Sequence, residues 1–245
     1  MRKIIIFLVF LTAASADYPQ WLQNSLKVVA DFKKDSGIHK YIEGYGLAIN
    51  DSLVLTSASL VYKESRADDI LIYNTEVLGE PISCLSHAKI IAVDTNLDIA
   101  ILSLERFTDI YCNILPEPNF REIAHKEIYF DFLNTPLFLP LDSRLEISYF
   151  LEHDWSQFLR VRIPLKEFLN FEEDKKQKLL GMPLFVEDEF LGLKVKNSKN
   201  AKDGILTHRQ ILGFLCELEQ NTSVLKNRDS IKKFCENSWQ LARLK

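Results

Sequence analysis

Apolar residues recur along this chain in short runs, each closed by Gly, Asn, Asp or a charged pair. Residues 41–49 read as a strand, with Gly44 and Gly46 marking places where another backbone comes close. Asn50-Asp51 supplies a turn into a second strand over 53–56. Residues 68–76 and 87–93 read as further strands. Residues 97–104 are almost wholly apolar, as in a strand buried on both faces. The second half repeats the habit at 128–132, 145–151 and 158–163, rich in aromatic and β-branched residues. A charged loop over 170–178 follows, then strands at 183–186, 190–195 and 205–206. Helical spacing appears at three places: 20–34 (Trp21, Leu22, Leu26, Val29, Ala30, Phe32), 208–218 and 224–243. The pattern therefore predicts a mostly β fold, a barrel or sandwich, with short N-terminal and C-terminal helices.

The first residues bear on compartment. Arg2-Lys3, an apolar run and Ala14-Ser15-Ala16 form a secretory signal peptide over 1–16, with cleavage expected after Ala16. The run falls short of the ~20 residues that span a bilayer. The reading is an exported chain, periplasmic, with no membrane insertion after cleavage. Hydrophobic content of 47% is ample for a core, and a net charge of -4 with mixed signs supplies no basic block for phosphates. Nucleic acid is therefore not an expected partner.

Cys84, Cys112, Cys216 and Cys235 are an even set, which an oxidising compartment turns into disulfides. Cys84–Cys112 and Cys216–Cys235 are favoured because each is local. Zinc is the alternative; no Cys-x-x-Cys occurs, and only His87 lies near a cysteine at ligand spacing. No metal and no cofactor are expected.

The order of four segments carries a resemblance. They are Gly44-Tyr45-Gly46-Leu47-Ala48-Ile49, Leu53-Val54-Leu55-Thr56-Ser57-Ala58-Ser59, Asp94 through Leu102, and Gly181-Met182-Pro183-Leu184-Phe185. Together they resemble the protease domain of trypsin-like serine proteases of the HtrA/Deg type, over roughly residues 26–218. The resemblance implies a double six-stranded β-barrel over 17–218, with an N-terminal barrel at about 40–112 and a C-terminal one at about 120–207. A helical extension over 219–245 would follow. It also implies a damaged triad. Ser59 stands at the histidine position, Leu180 at the serine position, and Asp98 alone is kept. Lys178 and Met182 replace glycines of the oxyanion loop. A serine needs an imidazole to activate it, and the intermediate needs aimed N–H groups. The expected protein is thus a pseudoprotease, not an enzyme, with Asp98 accepting bonds from Ser59 and nearby N–H groups.

Other sites weigh less. His39, His87, His125, His153 and His208 are scattered; His153-Asp154 is the one pair suggesting a displaced active site. Glu172-Glu173-Asp174 is balanced by Lys175-Lys176. Glu219-Gln220-Asn221-Thr222-Ser223 matches the extended acidic glycosylation acceptor of the campylobacter group, which makes Asn221 a glycosylation candidate and a bacterium of that group the expected source. Some campylobacter-type relatives with HtrA-like folds serve as periplasmic scaffold around the flagellar motor. By that analogy the chain is expected to be a structural or interaction component of the envelope, with protein partners there. A periplasmic chaperone or peptide-binding module and a protease with a displaced site are the alternatives. The sequence leaves the oligomeric state open.

Overall fold

A computed structural model describes residues 24–34, 36–49, 53–75, 81–109, 111–114, 132–133, 142, 144–153, 157–170, 178–187, 189–196, 204–225 and 228–236. Six strands, β1 (Ser25–Lys33), β2 (His39–Ile49), β3 (Leu53–Ser57), β4 (Asp69–Asn74), β5 (Ser83–Asp94) and β6 (Ile99–Phe107), close into a barrel in the order β1-β2-β3-β6-β5-β4. A one-turn helix, α1 (Ala58–Val61), follows β3. A second, five-stranded sheet has the order β11-β10-β9-β7-β8, from β7 (Glu146–His153), β8 (Gln157–Pro164), β9 (Pro183–Val186), β10 (Glu189–Lys194) and β11 (Ile205–Thr207). Helix α2 (Leu165–Leu169) follows β8, and α3 (His208–Asn221) and α4 (Asp229–Glu236) end the described chain.

Strand alternation divides the barrel's side chains between two cores. Leu26, Val28, Ala30, Val54, Ala100 and Leu102 fill its interior. Leu53, Leu55, Ile99 and Ile101 point outward and pack with Ile147, Leu184, Phe185 and Phe190 of the second sheet. β3 and β6 are thus buried on both faces, which is why their sequences are nearly all apolar.

Two expectations need correcting. The 20–34 helix is, over the described part, strand β1. Its apolar residues Leu26, Val28 and Ala30 follow period two into the barrel, while Lys27 and Asp31 take the other face. Pairing with β2 and β4 on both sides gives its backbone more partners than an isolated helix would. Accordingly the first barrel begins at Ser25, not near residue 40. The second half presents five strands among the described residues; of the strand expected at 128–132 only Phe132 is described, in a turn. Finally, 224–243 is helical at 229–236, and 237–243 lies outside the described residues, as does the 1–16 leader.

Helix α3 starts on a capping box. Gln210 N donates to Thr207 Oγ1 (3.4 Å), and Thr207 N donates to Gln210 Oε1 (2.9 Å). The Cys216–Cys235 disulfide, with Cα atoms 5.3 Å apart, joins α3 to α4. Cys84–Cys112 ties β5 to the segment after β6, Cα atoms 5.2 Å apart. No cysteine is left free.

Candidate functional site

The tight turn between β5 and β6 delivers Asp98. Asp94 Oδ1 accepts from Asn96 N (2.8 Å) and Leu97 N (3.0 Å), which shapes the turn. Asp98 itself is left-handed (φ 55°), a conformation Asp tolerates. Its side chain is 3% exposed, so an ionised carboxylate there requires donors. It has three: Ser57 Oγ at 2.7 Å, Ser59 N at 2.6 Å and Lys196 N at 2.5 Å. The Asp98 carbonyl also accepts from Ala58 N at 3.0 Å. One residue therefore holds the end of β3, the start of α1 and the exit of β10 together.

Leu180 lies in the turn before β9. Its carbonyl accepts from Tyr45 N (2.8 Å), so the turn is bonded to β2. Gly181 has φ +76°, and a Cβ there would lie 1.9 Å from the Tyr45 carbonyl oxygen. Gly44 makes the matching approach: a Cβ on it would lie 2.6 Å from Leu180 O and 2.8 Å from the Leu60 side chain. The helix carrying Ser59 and the turn carrying Leu180 thus meet over Gly44, which brings the sequence-predicted positions 59, 98 and 180 into one region. The amides after Leu180 are engaged: Gly181 N donates to Lys194 O (2.7 Å) and Met182 N to Leu179 O (3.0 Å). Among the described residues no imidazole bonds Ser57, Ser59 or Asp98. Leu180 is an aliphatic side chain in this turn and has no group that could attack a carbonyl.

The described histidines lie elsewhere. His39 Nδ1 is 2.6 Å from Asp31 Oδ2 on the surface. His87 Nδ1 is 2.8 Å from Asp69 Oδ1. His208 is buried between Phe132 and Phe190, its Nε2 2.9 Å from Phe132 O. His153 ends β7; its sequence neighbour Asp154, with His125 and Glu172 to Asp174, lies outside the described residues. Among the described residues no group of His, Cys, Asp and Glu could hold a metal ion. Asn221 is exposed as the last residue of α3, not in a loop, and Thr222 Oγ1 donates to Leu218 O (2.6 Å).

Sequence reasoning missed a charged lock between the two sheets. Lys27 of β1 has a side chain only 3% exposed; its Nζ is 2.7 Å from Glu152 Oε2 of β7 and 3.4 Å from Glu43 Oε2 of β2. Glu152 N donates to the Tyr45 hydroxyl (3.1 Å). Burial, joined by the nearby Glu152 and Glu43 carboxylates, pushes the Tyr45 phenol up to about 12. Burial alone pushes Tyr149 up to about 12. The lock joins residues 125 apart in sequence, so no local spacing could have shown it.

No protein-family model matches the chain, and no curated protein matches it. Among solved structures it is similar to the active form of the Rv3671c protease from M. tuberculosis, at 17% identity and TM-score 0.48, over 80% of each chain. It is similar to the inactive form of that protease at 15% identity and TM-score 0.45, over 80% of this chain and 89% of that one. It is also similar to the MamO protease domain of Magnetospirillum magneticum, at 12% identity and TM-score 0.46, over 80% of this chain and 97% of that one. At these identities the likeness concerns the fold alone.

Proposed function

We propose that this chain is an exported, catalytically inactive trypsin-like protein that acts as a structural or protein-interaction component of the cell envelope. The observation that carries the reading is the use made of Asp98. In a working triad this carboxylate orients an imidazole. Here its oxygens are given to Ser57 and to the backbone amides of Ser59 and Lys196. A leucine fills the nucleophile position. What the region retains is a set of backbone bonds holding barrel and sheet together, and function on such a scaffold lies in surfaces. Export is supported by the leader sequence and by two disulfides that use every cysteine. Among the described residues no helix is long and apolar enough to cross a membrane.

The narrower reading, by analogy with HtrA-like folds of the campylobacter group, is a scaffold of the flagellar motor, with Asn221 glycosylated. Mild crosslinking of the tagged mature protein in its own envelope, followed by affinity capture and mass spectrometry, tests both. A small, reproducible partner set in fixed ratio is expected, with motor components for the narrower reading. A broad spread of unfolded exported clients would replace the scaffold with a chaperone.

A further inference from the structure

The barrel's ladder is incomplete at one seam. β4 and β5 pair from Asn74↔Ser83 to Leu71↔His87 and no further. Beyond that rung, β5 pairs with β6 on one side through Asp94, and among the described residues no strand covers its other side. A register irregularity in the β5–β6 ladder falls between His87 and Ala88, where β5 parts from β4. A cavity of about 660 Å³ occupies the gap, a size ordinary for ligand sites. At the last rung a side chain does what a strand carbonyl does elsewhere: Asp69 Oδ1 accepts from Ile70 N (2.9 Å) and lies 2.8 Å from His87 Nδ1.

The walls indicate what fits. Ile70 and Ile90 line the gap and belong to the barrel's own core, 2% and 6% exposed. Ile114 stands at the rim, 47% exposed. Arg66, Lys89, Asp68 and Glu105 mix both signs around the mouth. The unpaired edge of β5 favours another backbone over a compact ligand, because strand addition lets main-chain groups supply affinity and alternate side chains supply specificity. We propose that the β4–β5 seam binds an extended segment of a partner protein by strand addition. That segment pairs with β5 beyond His87, sets an apolar residue against the exposed Ile114 and turns polar residues toward Arg66, Asp68, Lys89 and Glu105.

This deepens the interaction reading by naming a surface, and it is tested separately from it. The probe is a displayed library of random peptides of about eight residues, somewhat longer than a typical strand, selected on the mature protein. Selected peptides are expected to share an apolar residue set among polar ones and to protect residues 87–90 from amide hydrogen exchange. Ala88→Trp, which fills the gap, should weaken their binding roughly tenfold or more. Ile114→Ser, an exposed change safe for folding, should weaken it severalfold, and Leu159→Ser on β8 should leave it unchanged. No enriched peptide, or protection elsewhere, overturns the proposal. Protection of 87–90 that rises with the protein's own concentration, before peptide is added, overturns it in favour of a second copy. If capture from the envelope survives Ala88→Trp while peptide binding is lost, the partner reading stands and its contact lies elsewhere.

Discussion

Replacing Glu152 by Gln removes the close counter-charge of Lys27. The Lys27 ammonium cannot simply turn to water, since its side chain is 3% exposed and Glu152 is itself only 13% exposed. Breaking a buried pair by removing one partner costs about 3–5 kcal/mol, because the remaining charge stays uncompensated. Glu43, 3.4 Å from Nζ and 39% exposed, keeps part of the compensation and places the expected loss at the low end, about 3 kcal/mol. For a chain of this size that is a fall in Tm of roughly 6–12 °C. Replacing both partners by apolar residues, Lys27→Met with Glu152→Leu, should recover most of the loss, since a buried pair exchanged for packed hydrophobes is often neutral or better. The assay is urea unfolding of the disulfide-intact protein, wild type, each single variant and the double, read as a double-mutant cycle. Single variants within about 0.5 kcal/mol of wild type, with additive effects, would refute the reasoning and reduce the pair to a surface contact.

Three further outcomes follow from the same geometry. Asp98→Ala strips the acceptor from three donors at a buried site and should cost about 2–5 kcal/mol in urea unfolding. Tyr45 and Tyr149 have folded pKa values near 12 against 10.0 for the free phenol, so the unfolded chain gives up these protons first. Their contribution is complete below pH 10 and is lost as pH rises toward 12, at most about 3 kcal/mol for each ring. Urea midpoints should accordingly fall across that window, and less steeply in Tyr149→Phe. Cys216→Ser with Cys235→Ser should cost about 2–5 kcal/mol by urea unfolding, with helix α4 the first segment to exchange its amide hydrogens.

Much of the barrel was legible because burial on two faces writes itself into composition. Leu53 to Leu55 and Ile99 to Leu102 are apolar at every position, and each lies between two cores. Gly44 was legible as a close approach, though not that Leu180 and Leu60 were the approaching groups. β1 was misread because the apolar spacing from Trp21 to Phe32 admits period 3.6 as well as period 2. Tertiary pairing with two neighbouring strands decided for the second. The disulfides were legible as local pairs. The helix C-terminus at Asn221 was not, since a sequon carries no backbone information. Nothing local could join Lys27 to Glu152, or show that the β4–β5 ladder stops at His87. Both depend on how strands far apart in sequence come to lie side by side.

The most direct measurement of the central claim is turnover of casein and of a peptide library by the purified mature protein, beside Asp98→Ala and the double variant Ser59→His with Leu180→Ser. The account predicts no product above blank from any of them. The restored pair should also fail, because Lys178 stands where the oxyanion turn, two residues before the nucleophile position, calls for glycine. Product from the wild-type chain that a single substitution abolishes, in His153→Ala for example, would contradict it and identify an enzyme.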